Sequence, residues 1–163
     1  MSQLMYDQLL HSATGLNQGV LRDVLIPSIL GDETSGILYW AGKDLAHQFP
    51  VSNSDQLTLI FEQLGFGQLT KQKSSAKQQV WLLDGPIVAQ RLKNNHPDFN
   101  LEAGFIAQQI EFQTNAITEA QITEQKKGNV QITVQSDLKD PSLDTEAIEF
   151  LKIETPTPET TEE

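Results

Sequence analysis

The spacing of apolar residues switches from a helical repeat to a strand repeat and back along this 163-residue chain, and that alternation limits the folds open to it. A helix brings residues three and four apart to one face, and a strand brings every second residue to one face, so neither pattern substitutes for the other. Within residues 16–30, Leu21, Val24, Leu25, Ile29 and Leu30 keep the helical spacing, Pro27 interrupts the hydrogen-bond ladder and Gly31 closes the segment. This predicts a first helix kinked at Pro27. A second opens at Asp32 or Thr34, repeats Ile37/Leu38, Ala41, Leu45 and Phe49, and stops at Pro50. A third follows the capping-box spacing of Ser52 and Asp55, buries Leu57, Ile60, Phe61 and Leu64, and meets Gly65 where a left-handed cap falls.

The period then drops towards two from Phe66 to Leu83, with Ser74 to Lys77 dividing two extended stretches, which reads as a hairpin. Asp84-Gly85-Pro86 starts a short fourth helix carrying Ile87, Val88 and Leu92, ended by Asn94-Asn95-His96-Pro97. Asn100 caps a fifth, running to about Ile117, in which Leu101, Phe105 and Phe112 broaden the stripe of Ala103, Ile106 and Ile110. A second hairpin over residues 119–135 turns at Lys126-Lys127-Gly128-Asn129 and alternates Val130, Ile132 and Val134 with Gln131, Thr133 and Gln135. The expected fold is α+β, with about five helices packed on one side of an antiparallel sheet made of two hairpins. Residues 1–141 form the domain; residues 142–163 form an acidic, Thr/Pro/Glu-rich tail expected to be largely disordered, save an amphipathic turn at Ala147, Ile148 and Leu151. A chain of about 150 residues buries roughly 68–70% of its unfolded surface, enough for one core without a covalent staple.

Composition removes whole classes of chemistry. The sequence has no cysteine, which excludes disulfides, thiolate zinc sites, thiol nucleophiles and palmitoylation. Its net charge of −11 gathers at the end, where residues 141–163 hold seven acids and one lysine, leaving the body only mildly acidic. The basic groups Lys71/Lys73/Lys77 and Lys126/Lys127 flank the hairpin turns, where solvated lysines blunt sheet edges, so nucleic acid is not an expected partner. No segment has the ~18 apolar residues of a membrane span, and residues 1–10 carry no basic leader, so a cytoplasmic location is expected.

No catalytic or metal constellation emerges. His11, His47 and His96 are dispersed, and Asp44 with His47 makes an i, i+3 pair two ligands short of a transition-metal site. Gly65-Phe66-Gly67 lacks the third glycine and the strand-to-helix order of a dinucleotide loop. Glu102 and Asp84 form an acid/base pair only if two helix starts converge, and the helix dipole alone accounts for an acid at the second helical position. More informative are Gly42 and Gly104, each inside a predicted helix where glycine costs about 1 kcal/mol relative to alanine. Close helix packing offsets that cost, or else the glycines make room for a ligand or a partner's helix beside Tyr39, Trp40 and Phe105.

Five blocks occur in order: Tyr39-Trp40-Ala41-Gly42-Lys43-Asp44-Leu45-Ala46, Gly65-Phe66-Gly67, Leu83-Asp84-Gly85-Pro86-Ile87-Val88, Leu101-Glu102-Ala103-Gly104-Phe105-Ile106-Ala107 and Lys139-Asp140-Pro141. Over roughly residues 17–141 the chain thereby resembles the YslB-like family of uncharacterised Gram-positive bacterial proteins. The resemblance implies a fold similar to TRAPP trafficking subunits, vinyl-reductase-type ligand domains and haem-NO-binding domains, which dimerise, hold acyl chains, or hold tetrapyrrole and hydrocarbon ligands. The acylated or metal-binding cysteines of the first two have no counterpart here, and no histidine is placed as an axial haem ligand. The expectation is a non-enzymatic interaction module, homodimeric or bound to a protein partner, with no cofactor. The alternative is a cytosolic sensor holding an apolar small molecule, lipid-like or tetrapyrrole, between helices two and five at Tyr39, Trp40, Gly42, Gly104 and Phe105.

Overall fold

The computed structural model describes residues 15–143 and 147–155; His11 and the acidic end from residue 156 lie outside them. The first helical region is segmented: α1 (Gly15–Val20), a π-helical stretch (Leu21–Leu25), α2 (Ile26–Leu30) and a 3₁₀ turn (Gly31–Glu33). The kink expected at Pro27 is thus taken up ahead of it. Proline offers no N–H and its ring crowds the carbonyl four residues back, that of Asp23, which lies within the wider π turn. Gly31, at φ 60°, ends the run.

Four helices, rather than about five, then stand as independent rods. They are α3 (Thr34–Gln48), α4 (Ser54–Gln63), α5 (Pro86–Arg91) and α6 (Asn100–Thr114). The α4 cap is Asn53 rather than Ser52: its extended backbone lets the side-chain oxygen accept the Gln56 N–H at 3.0 Å. Helix α5 starts as the sequence suggests, with Pro86 in the first turn after Gly85 at φ 101°. Helix α6 ends three residues short of Ile117 because Asn115 takes the left-handed conformation, φ 53°, and its N–H returns to the Glu111 carbonyl.

That early stop frees residues for a longer hairpin. Strands β1 (Gln68–Ser74) and β2 (Gln78–Asp84) form the first, and β3 (Ala116–Lys126) and β4 (Asn129–Pro141) the second. They join through an antiparallel β2–β4 pairing into one four-stranded sheet of order β1-β2-β4-β3. The register sets Trp81 opposite Ile132 and Leu83 opposite Val130, so one face is continuously apolar. The other face carries Gln131, Thr123 and Thr133, the two threonine hydroxyls 3.0 Å apart. Helix α6 lies along the apolar face with every residue from Glu102 to Glu111 buried, so it is the axis of the core. Helix α3 packs along α6 and reaches the edge strand β3 through Tyr39 and Lys43, and Phe61 and Leu57 of α4 join the same core.

Residues 147–155 adopt no regular structure, so the amphipathic turn expected at Ala147, Ile148 and Leu151 is absent there. The segment instead runs beside α4. The Leu151 N–H donates to the Pro50 carbonyl, the Ile153 N–H donates to Gln56 Oε1, and Ile153 packs on the core.

Candidate functional site

The two helical glycines face each other. A Cβ on Gly42 would lie 2.1 Å from the Leu101 carbonyl oxygen, and one on Gly104 would lie 1.9 Å from that of Tyr39. The obstacles are backbone atoms, which cannot turn aside, so the α3–α6 crossing exists only because both positions lack a side chain. Backbone fills the interval at both glycines. The other three residues of the expected site diverge. Phe105 is fully buried in a cluster of edge-to-face rings with Phe61 and Phe66, centroids 5.2–5.8 Å apart. Tyr39 points to β3, where its hydroxyl accepts the Ala120 N–H at 2.9 Å and donates to Glu119. Burial, and then that bond to Glu119, raise the Tyr39 phenol above its ordinary range. Trp40 faces outward and is 65% exposed.

Trp40 is one of several exposed apolar side chains in this part of the chain. Ile37, Trp40, Ala41 and Asp44 follow one helical stripe of α3 and, with Gly36, line a shallow depression. In the preceding elements Leu25 and Ile29 are exposed as well, the latter at 70%, while Leu21 lines a separate cleft. Gly36 has no heavy atom within 4 Å of where its Cβ would stand, the reverse of Gly42.

Two buried charge clusters hold α3 and the first helical region in place. On α3, Lys43 is 8% exposed and lies 3.2 Å from both the Thr118 carbonyl and Glu119 Oε1, and 3.6 Å from Glu111. Glu111 also accepts the Thr118 N–H at 3.1 Å and the Ser142 hydroxyl at 2.8 Å. Tyr39 and Lys43 thus clamp α3 to the edge strand β3. In the second cluster, Glu102 accepts Arg22 at 2.7 Å and Arg91 at 2.9 Å, and Arg91 also reaches Asp23 at 3.1 Å. Burial alone lowers the Arg91 pKa, but the charges of Glu102 and Asp23 outweigh it and the net shift is upward.

Glu102 therefore binds arginines, and the pairing considered with Asp84 gives way to them. Arg22 and Arg91 are the only arginines in the sequence, and both converge on this one carboxylate. That economy was the available signal, since a chain using lysine on its surface reserves the guanidinium fork for buried pairing. Among the described residues no three of His, Asp and Glu gather as a metal site, and His47 Nδ1 lies 3.0 Å from the Lys43 carbonyl. Gly65 and Gly67, both at positive φ, form the turn from α4 into β1. No helix of the described residues is long and apolar enough to cross a membrane.

A family model described as a protein of unknown function, DUF2507, matches residues 15–135. The uncharacterized protein YslB of Bacillus subtilis (strain 168) is 39% identical over 124 residues, covering 75% of this chain and 84% of the relative. Among solved structures, a vinyl-4-reductase family protein from Methanocaldococcus jannaschii superposes with a TM-score of 0.56 at 22% identity, covering 74% of this chain and 80% of that one. That likeness concerns the fold alone.

Proposed function

From the premise that this chain belongs to the DUF2507 family of proteins of unknown function, we propose that it is a non-catalytic, cytoplasmic interaction module that pairs with a second copy of itself through α2 and α3. The observation that carries this reading is Trp40, 65% exposed beside Ile37 and the bare Gly36. A large aromatic in water forfeits the burial that makes such residues interface anchors, and an uncovered glycine in the first turn of α3 leaves room for another backbone to approach. A twofold contact across this stripe covers Trp40 with its counterpart's Gly36 and answers both. The resemblance of the five sequence blocks to the YslB-like family, which implies kinship with dimerising folds, supports the same reading.

The non-catalytic part rests on how the buried acids are used. Glu102 is held by two arginines, and Glu111 accepts a backbone N–H and a hydroxyl beside Lys43, so neither is left to exchange a proton with a substrate. Light scattering at tens of micromolar tests the pairing. The expected mass is twice the 18.2 kDa of one chain, and Trp40→Glu is expected to halve it without changing the circular dichroism. A wild-type protein of single-chain mass removes the proposal.

A further inference from the structure

A cleft of about 210 Å³ opens beside the arginine pair, at the end of the molecule away from the Lys43 clamp. Its apolar wall is Leu21, Leu64, Phe66 and Ile87, and its floor is the network of Arg22, Arg91, Asp23 and Glu102. Three observations set it apart from a packing fault. The π-helical stretch Leu21–Leu25 supplies three consecutive lining residues, and π turns recur where a helix is bent to serve a site. Two polar atoms of its lining, Arg22 Nη1 and Asn94 Oδ1, are buried and find no hydrogen-bond partner among the described residues. Native proteins rarely leave a buried donor and acceptor unpaired, least of all both at one cleft. Finally, the four ionised groups on the floor balance to zero, two cations against two anions.

We infer that this cleft binds a small neutral molecule with an apolar body and an amide-like head. The carbonyl of that head accepts from Arg22 Nη1, and its N–H donates to Asn94 Oδ1, once the two side chains turn toward it. Charge balance argues for neutrality, because a net charge placed against a balanced buried network must desolvate without a counter-charge. At the ~30 Å³ each water occupies in the liquid, the volume equals about seven waters, which suits one substituted ring rather than a long acyl chain.

Benzamide is a probe of this size and chemistry, titrated into the full-length protein while ¹H–¹⁵N amide shifts are followed. The expected result is saturable shifts at Leu21, Gly65, Phe66, Ile87 and Asn94 with a millimolar Kd. Toluene, which lacks the head, and benzoate, which adds a charge, are each expected to bind about tenfold more weakly or worse. Asn94→Leu is expected to weaken benzamide about tenfold. Leu21→Trp, at a 48% exposed position that tolerates a larger side chain, is expected to block the shifts and keeps the test alive if Asn94→Leu does not fold. Absent or non-saturating shifts at these amides, equal affinity for toluene and benzamide, or unaltered binding in a folded Asn94→Leu would each overturn the inference. The amides of α2 and α3 report self-association separately, so the two proposals fail independently.

Discussion

Gly104 and Gly36 both sit inside helices, yet a methyl group at each would meet opposite surroundings. At Gly104 it would lie 1.9 Å from a backbone oxygen, and at Gly36 it would meet nothing within 4 Å. Gly104→Ala is therefore expected to force α3 and α6 apart and lower the unfolding free energy by about 3 kcal/mol in urea titrations. Gly36→Ala is expected to raise the stability of the dissociated chain by about 0.5–1 kcal/mol, the propensity difference alone. Equal effects at the two sites would contradict the packing account.

Tyr39 gives a pH signature. Its folded-state pKa is raised, so its contribution is fully present below the unfolded value of about 10 and is lost as pH rises beyond it, where the unfolded chain ionises first. Urea midpoints between about pH 9 and 11.5 are expected to fall more steeply for the wild type than for Tyr39→Phe. At this scale the sequence disclosed what is local. The helical glycines advertised their own cost, whereas Arg22 and Glu102 lie 80 residues apart and no pattern within either segment announces their pairing.

Elements were legible where period and caps agree and blurred where one residue chose between two caps. Asn53 displaced Ser52 as the α4 cap, and Asn115 ended α6 by adopting the left-handed conformation that asparagine tolerates, moving Ile117 from helix to strand. The π-helical stretch had no signature beyond Pro27, and the partners that Arg22 and Asp23 find on α6 and α5 lie far off in sequence. The two charge clusters that seat these elements differ in burial, and so in expected worth. Glu102→Gln leaves the buried Arg91 and the part-buried Arg22 under-compensated and is expected to cost about 3–5 kcal/mol. Glu119→Gln alters a carboxylate whose side chain is 56% exposed and is expected to cost less than about 1 kcal/mol. Paired urea unfolding curves of the two variants check the order.

For the whole molecule, the two hairpins and the one-sided helical layer followed from the alternation of periods, but the β2–β4 pairing that merges the hairpins did not. Both strands are apolar on one face and each hairpin had two outer edges on offer, so only the closing of the core over α6 selects the pairing. The same closure brings backbone against both helical glycines where α3 meets α6, and leaves exposed apolar side chains on α2 and α3. Self-association through them is the central claim, and the chain carries its own reporter. Of its two tryptophans, Trp81 is fully buried and Trp40 is 65% exposed, so only Trp40 responds to a partner. Tryptophan emission followed on dilution from tens of micromolar to nanomolar is expected to shift to the red as pairs dissociate and Trp40 enters water. An emission maximum unchanged across that range, in a protein of single-chain mass throughout, would contradict the account.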